Sequence, residues 1–288
     1  MTEDLKERYE SFSESQKRVA DYILENDEYA PFLTAAKLAA RVGVSESTVV
    51  RFAALLGYDG YSEMQAAMVD ELQAKLVAPK KYMTNKLKNE PSDVMRKVFV
   101  ADARNIVDSI HYIDQKVFDM AVELLDSARR IYVVGLRNCA PLAMYLTTYL
   151  SMMRPDVSSV TTTDMSEMFE QLSWMDKDDV VVGISFPRYS LRTLKAMDYA
   201  NSQGGRLICI TDSEYSPMNM YSSCNLWAKS DMITMVDSMA APLSVINALC
   251  VALFMKNEEN IKHNLERLEQ IWDDYMTYDK DALSGREE

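Results

Sequence analysis

Apolar residues in the first 76 positions recur at the three- and four-residue spacing of helices that bury one face. The pattern predicts four helices, at residues 16–25, 35–42, 45–56 and 62–76. In the third of them, Val49, Phe52 and Leu56 share the inward face. Polar residues fill the remaining faces, so the segment is predicted to be an all-α domain with a small core of its own.

A different pattern begins at residue 131, where short apolar runs alternate with helical stretches. The runs lie at residues 131–135, 157–160, 180–184, 207–211 and 225–228. The helical stretches between them lie at residues 139–152, 164–174, 190–203 and 215–222. Two further helices, at 93–110 and 114–128, come before the first run, and two more, within 237–278, follow the last. Continuous apolar runs of this length are typical of strands that are covered on both faces. The alternation predicts an α/β three-layer sandwich, in which a doubly wound parallel five-stranded sheet carries helices on both faces.

The chain of 288 residues is about twice the length of a typical domain, and the two patterns divide it accordingly. Pro79 and Pro91, with charged residues and Asn between them, mark the segment that separates the patterns. We predict an all-α domain at 1–76, a linker at 77–91, the α/β domain at 92–279 and a polar tail at 280–288.

The two short helices on either side of Gly43 have the spacing of a helix-turn-helix. Gly43 can take a left-handed corner at little cost, and Ser45 is a good N-cap for the second helix. The outward residues near the start of that helix are small, polar or basic apart from Val50, as a helix that enters the major groove requires. An αα-hairpin that only packs is the alternative. The candidate DNA contacts are Lys37, Ser45, Glu46, Ser47, Thr48, Arg51, Tyr58 and Tyr61.

The residues that follow, LGYDGYSEM at 56–64, resemble the segment after the recognition helix in RpiR-type transcriptional regulators. The resemblance covers about residues 1–75 and implies operator DNA as a partner. Tyr58 and Tyr61 would each pack one ring face on the helices and give a hydroxyl to a phosphate.

The formal net charge of −13 argues against indiscriminate binding to nucleic acids. The balance reverses locally, because Lys37, Arg41 and Arg51 face only Glu46 across the helix-turn-helix, and five lysines follow between residues 75 and 88. We therefore expect DNA affinity to be confined to one face, to need a dimer and to fall steeply with salt.

Composition argues against several other classes of protein. The start of the chain has no apolar signal segment, and the most apolar stretch, residues 239–255, contains Pro242 and is short for a membrane span. Four cysteines without CxxC spacing predict reduced, mostly buried thiols in a cytoplasmic protein with no membrane partner. The only histidines are His111 and His263, so neither a histidine metal site nor a Ser-His-Asp triad is expected, and we predict no metal and no cofactor.

Two loops of the predicted sheet could bind a ligand, because ligands of open parallel sheets bind at the carboxyl ends of strands. Both loops, at 135–140 and 185–193, lead into helix N-termini, which favour an anion. Their arginines could hold a phosphate or carboxylate, or could lie at a surface or dimer interface, and their serines could bind the ligand or cap the helix. The candidate ligand-binding residues are Gly135, Arg137, Asn138, Ser185, Arg188, Tyr189, Ser190 and Thr193.

Residues 97–250, approximately, resemble a sugar isomerase (SIS) domain, the phosphosugar-binding module that follows the DNA-binding domain in RpiR-type regulators. The family loop Ser-x-Ser-Gly-x-Ser/Thr aligns with residues 185–190, where Pro187 and Arg188 replace the inner Ser-Gly. In the first loop, Arg137 stands where the family commonly has a Gly, and Cys139 stands where it commonly has a Ser. We interpret Cys139 as a packed residue. We interpret the arginines as charged replacements for lost donors. The ligand would then still be anionic, a sugar phosphate or a sugar acid, and could differ from a simple hexose phosphate.

The leading hypothesis is a transcriptional regulator of carbohydrate metabolism, a dimer or tetramer switched by a small anionic ligand and without catalytic residues. The alternative is an aldose–ketose phosphate isomerase with an accessory helical domain, which needs a general base that neither ligand loop supplies. An adaptor that binds protein through Tyr- and Met-rich helices would leave the helix-turn-helix spacing unexplained.

Overall fold

The computed structural model describes residues 1–27, 30–77, 93–222, 224–231 and 236–275. Its first part, which we call the helical domain (residues 1–77), contains α1 (Thr2–Arg8), α2 (Glu14–Glu25), α3 (Ala35–Val42), α4 (Glu46–Leu55) and α5 (Tyr61–Val77). The four helices predicted there are confirmed, with ends that shift by no more than two residues. Ser13 and Gln16 form a capping box at the start of α2, in which the Ser13 backbone amide donates to the Gln16 side chain at 2.8 Å.

The core of the helical domain forms where the sequence pattern places it. Val49, Phe52 and Leu56 are all buried, together with Leu38 from α3. Gly43 adopts the left-handed conformation, with φ of +69°, and turns the chain between α3 and α4. The helix-turn-helix geometry therefore follows from one glycine and one apolar stripe.

The second part, which we call the sheet domain (residues 93–275), is a parallel five-stranded sheet between helices. Its strands are β1 (Ile131–Gly135), β2 (Val157–Val160), β3 (Val180–Ile184), β4 (Arg206–Thr211) and β5 (Cys224–Trp227), in the order β2-β1-β3-β4-β5. Its helices are α6 (Val94–Tyr112), α7 (Gln115–Ser127), α8 (Ala140–Met153), α9 (Met165–Leu172), α10 (Leu191–Ser202), α11 (Ala240–Lys256) and α12 (Glu258–Asp274). The predicted three-layer α/β sandwich is confirmed.

Alternate residues of the strands serve the two faces of the sheet. Ile131 and Val133 of β1 pack with α7, α8 and α11, whereas Tyr132 and Val134 pack with α9 and α10. The apolar stretch at 239–255 becomes α11, which buries six of its residues in the cluster on the first of these faces.

One predicted element of the sheet domain is wrong. The helix expected at 215–222 is a single 3₁₀ turn, Pro217–Met220, capped by the Ser216 side chain. Because β5 begins at Cys224, the chain has room for only one turn before it re-enters the sheet.

The predicted linker lies almost entirely outside the described residues, as do the polar tail and the lysines between 80 and 88, so the domain boundaries stay predictions. Of the helices in the described ranges, none is by itself long and apolar enough to cross a membrane. Two of them, α11 and α12, satisfy length and composition only when taken together, across a bend of 103°.

Candidate functional site

A polar cavity of about 160 Å³ lies at the carboxyl ends of β1 and β3. The strand order reverses between these two neighbours, which is where open parallel sheets bind ligands. The cavity is lined by Leu136, Arg137, Asn138, Cys139, Ser185, Phe186, Pro187, Arg188 and Ser190. The two loops selected from the sequence therefore meet around one cavity, which contains five of the eight candidate ligand-binding residues.

Both arginines of the cavity have left-handed backbone conformations. The φ angle is +56° at Arg137 and +71° at Arg188. Side chains larger than Gly rarely adopt this conformation, and strain of this kind concentrates at binding sites. These are two of the three non-glycine residues with positive φ in the described part of the chain.

A carboxylate that the sequence analysis missed completes the charge pattern of the cavity. Oδ2 of Asp237 accepts a hydrogen bond from the side-chain amide of Asn138 at 2.5 Å and lies 3.0 Å from a guanidinium nitrogen of Arg188. Asp237 comes just before α11, far along the chain from both loops, so loop patterns could not reveal it. An acidic residue directly before a buried apolar helix was the one available signal.

The serines both line the cavity and hold its shape. Ser185 is buried, and its hydroxyl accepts a hydrogen bond from the Ser190 amide at 3.2 Å. The Ser190 hydroxyl in turn caps α10 by accepting from the Thr193 amide at 3.3 Å. The capping role foreseen for Ser190 is therefore confirmed, and its ligand contact stays a prediction. Thr193 itself, in the first turn of α10, is fully buried and does not line the cavity.

Two other candidate residues also lie outside the cavity lining. Gly135 is buried, and a Cβ there would lie 2.7 Å from the Cys139 carbonyl oxygen, so a glycine is needed for the close approach of strand and loop. Tyr189 directs its hydroxyl to Oδ1 of Asp212 at 2.7 Å. We therefore interpret both as residues that hold the shape of the loops.

Cys139 behaves as the packed residue expected from the sequence. Its thiol is buried, and burial raises the pKa to about 11, so it stays protonated near neutral pH. Among the described residues, no group of three His, Cys, Asp or Glu side chains is placed to hold a metal ion.

The start of α4 presents a cluster of hydroxyls to solvent. Ser45 caps the helix by accepting from the Thr48 amide at 3.2 Å, and its hydroxyl lies within 2.9 Å of those of Ser47 and Thr48. Glu46 and Arg51 are exposed beside them, and the Arg51 side chain reaches the Ser47 carbonyl at 3.2 Å. These five predicted DNA contacts thus share one accessible face, suited to major-groove contact.

The other three predicted DNA contacts are placed differently. Tyr61 is buried, and its hydroxyl donates to the Leu33 carbonyl at 2.8 Å, so the predicted phosphate contact is wrong for this residue. Tyr58 is half-buried, and burial raises its pKa. Lys37 forms an ion pair with Asp198 of the sheet domain, with 2.7 Å between nitrogen and oxygen.

The two domains each match a known family model. The rpiR-family helix-turn-helix domain matches residues 1–75, and the SIS domain matches residues 124–252. The chain belongs to the RpiR-type regulators. An uncharacterized HTH-type transcriptional regulator of Haemophilus influenzae is 27% identical to this RpiR-type chain over 218 residues, 74% of each protein. The HTH-type transcriptional regulator HexR of Pseudomonas aeruginosa is 24% identical over 276 residues, 94% of each protein.

Solved structures show the same fold. The Vibrio vulnificus NanR protein complexed with ManNAc-6P has a TM-score of 0.62 and 22% identity, and the match covers 96% of this RpiR-type chain and 99% of NanR. The sugar isomerase domain of an RpiR transcription factor from Sphaerobacter thermophilus has a TM-score of 0.60 and 22% identity, and the match covers 62% of this chain and 99% of that domain. The NanR match extends over both domains, so their order along the chain is also shared.

Proposed function

We propose that this RpiR-type protein binds operator DNA through α4 and regulates carbohydrate metabolism in response to a phosphosugar held in the cavity between β1 and β3. One observation carries the proposal. The same chain has an exposed, hydroxyl-rich helix α4 and a strained, arginine-lined cavity where the strand order of the sheet reverses. Operator binding and ligand binding would be linked because the ligand favours one arrangement of the two domains.

The chemistry of the cavity supports an anionic ligand. Arg137 and Arg188 bring two positive charges, which Asp237 offsets only in part. The two loops also lead into the N-termini of α8 and α10, whose helix dipoles add to the attraction for a phosphate. The related NanR structure contains ManNAc-6P, a phosphosugar of the kind that such a cavity would bind.

The first experiment is a thermal-shift panel of sugar phosphates, N-acetylated amino-sugar phosphates and sugar acids. A ligand at 100 times its Kd stabilises the protein by about 2.7 kcal/mol, which raises Tm by several degrees. Arg188→Ala should abolish the shift. Arg192→Ala, which removes the same charge from an exposed position on α10, should preserve it. A panel without any shift in the unaltered protein would contradict phosphosugar sensing.

We also propose that the protein self-associates through α6. This helix exposes Met95, Phe99 and Ile110, which are 75%, 71% and 67% accessible in the isolated chain. Such a stripe is unusual on a monomer and suits the face of a second copy. Sedimentation equilibrium should give a dimer or tetramer for the unaltered protein and a smaller species for Phe99→Asp. A monomeric unaltered protein would contradict this proposal.

The isomerase alternative now depends on Asp237, the carboxylate that the fold brings to the cavity. A general base needs an oxygen that is accessible to a substrate proton, but the Asp237 side chain is only 11% exposed, and its Oδ2 already accepts from Asn138 and Arg188. We therefore favour a protein that binds the sugar without converting it. Interconversion of sugar phosphates by the purified protein, lost in Asp237→Asn, would contradict this choice.

A further inference from the structure

The loop at residues 185–190, which we call the cavity loop, contacts two different parts of the molecule. Arg188 and Ser190 line the cavity. Tyr189, between them, packs instead with the helical domain, where its ring meets Phe32 edge-to-face with centroids 5.9 Å apart and an interplanar angle of 85°. Phe32 is the residue that ends the turn before α3, and it is only 3% exposed. A single residue of the cavity loop thus contacts the segment that leads into the helix-turn-helix.

Tyr189 is held firmly in this position. Its hydroxyl donates to Oδ1 of Asp212, which follows β4, at 2.7 Å. Its ring adjoins a buried cluster that contains Phe32 and Val69 of the helical domain with Leu194 and Met197 of α10. The contact is therefore part of a continuous core between the domains.

A second contact fixes α3 itself. The ammonium of Lys37 lies 2.7 Å from Oδ1 of Asp198 on α10 and 4.2 Å from the centre of the Tyr221 ring. An ammonium group held in this way is directed to the sheet domain, away from a DNA phosphate.

We infer that Tyr189 transmits the state of the cavity to the helical domain, and that Lys37 is a domain-contact residue that holds α3 on the sheet domain. This inference rests on the proposed function, because it states how the proposed ligand site regulates the proposed DNA site. A ligand that moves Arg188 and Ser190 also moves Tyr189, since Tyr189 lies between them in the chain. Displacement of Tyr189 from Phe32 weakens docking and releases Lys37 from Asp198.

A zero-length carbodiimide cross-link tests the docked arrangement directly in the full-length protein. The reagent activates the Asp198 carboxyl, the Lys37 amine attacks it, and an amide forms as the reagent leaves as its urea. We expect mass spectrometry to detect this amide in the unaltered protein. The ion pair between Lys256 and Glu123 lies within the sheet domain and provides an internal reference for the reaction.

Substitutions then test the coupling. Tyr189→Ala should lower the Lys37–Asp198 yield by roughly fivefold relative to the reference, as expected for loss of a buried aromatic contact. Asp212→Ala, which removes the anchor of the Tyr189 hydroxyl, should lower it in the same direction and serves if Tyr189→Ala fails to fold. Tyr149→Ala removes an aromatic contact with Tyr145 on α8 and should leave the yield unchanged. Equal yields in all four proteins would overturn the inference, as would an unaltered protein that gives only the reference cross-link.

A ligand arm separates this inference from the proposed function. ManNAc-6P and glucose 6-phosphate are used as probes, with binding measured by calorimetry in parallel. A probe that binds should change the Lys37–Asp198 yield at least threefold and leave the reference unchanged. Binding without that change would overturn the coupling and leave the phosphosugar proposal intact. If neither probe binds, that result counts against the proposed function, and the Tyr189→Ala comparison still decides whether the cavity loop controls docking.

Discussion

A guanidinium nitrogen of Arg188 lies 3.0 Å from Oδ2 of Asp237, so one of the two strained arginines of the cavity is paired with a carboxylate from a distant segment. An incoming phosphate must compete with this carboxylate for the guanidinium. For the ligand site that we propose, the ion pair should therefore lower the affinity for anions.

Removal of that competition should strengthen anion binding. We predict that Asp237→Asn lowers the Kd for a phosphosugar ligand roughly fivefold, equivalent to about 1 kcal/mol for a partly exposed charge pair. Calorimetric titration measures the effect, and Glu269→Gln on α12 is the charge-matched control. Weaker binding in Asp237→Asn would show instead that the carboxylate accepts hydrogen bonds from the sugar.

The recognition helix offers a direct test of DNA contact. Arg51→Ala should weaken binding to a selected operator fragment by about 1–3 kcal/mol if the guanidinium reads a base. Titrations of operator and random-sequence DNA at several salt concentrations distinguish a base contact from a phosphate contact. Loss of a phosphate contact weakens binding to both DNAs equally. Lys116→Ala, an equal charge loss at an exposed position of the sheet domain, should change neither affinity.

Tyr61 should contribute to stability and not to DNA affinity. Tyr61→Phe removes the hydroxyl that donates to the Leu33 carbonyl, which also accepts from Gln65 at 2.8 Å. Because the carbonyl keeps one partner, we expect the free energy of unfolding to fall by only about 0.5–1 kcal/mol. Chemical denaturation measures this, and Tyr58→Phe is the comparison. A loss of DNA affinity without loss of stability would restore the phosphate contact expected from the sequence.

The glycine at the end of β1 should be intolerant of substitution. In Gly135→Ala the new Cβ would lie 2.7 Å from the Cys139 carbonyl oxygen and 2.9 Å from the Ala143 side chain. Overpacking of this kind costs about 1–3 kcal/mol, so Tm should fall by several degrees. Gly60→Ala, where no atom lies within 4 Å of the added Cβ, should leave Tm nearly unchanged. Similar values for the two variants would mean that the loop after β1 relaxes freely.

Stability should decline at alkaline pH because of the buried thiols. Burial raises the pKa of Cys139, Cys224 and Cys250 from 9.0 to about 11. Below pH 9 both folded and unfolded chains keep these thiols protonated, and their contribution to stability is complete. Between pH 9 and 11 the unfolded chain ionises first, so this contribution is lost. Urea unfolding across this range should show a smaller decline for Cys250→Ala than for the unaltered protein. Equal declines would assign the effect to other groups.

Local periodicity predicts most of this fold. Apolar runs identify all five strands, and the spacing around Gly43 identifies the helix-turn-helix, because both depend on interactions between residues close in sequence. The loops that follow β1 and β3 were also found, since a parallel sheet brings the carboxyl ends of its strands to one edge.

The residues that were missed or misplaced depend on distant contacts. Asp237 reaches the cavity from the segment before α11, and Lys37 finds Asp198 only when the domains dock. Tyr61 looked accessible in a polar segment, but its partner carbonyl at Leu33 lies 28 positions earlier. Sequence patterns show that a side chain is polar, whereas three-dimensional packing determines which polar group it meets.

The left-handed backbone at Arg137 and Arg188 has a consequence for the evolution of this protein. A non-glycine residue in that conformation is destabilising by about 1 kcal/mol or more, so glycine at both positions would give a more stable sheet domain. Stabilised variants selected for heat resistance alone should therefore accumulate glycine there, the residue that the SIS family commonly has at both positions, and lose the two guanidinium groups of the cavity. At such positions a change in the preferred ligand is opposed by backbone strain, so selection for stability alone favours a return to the family's loop.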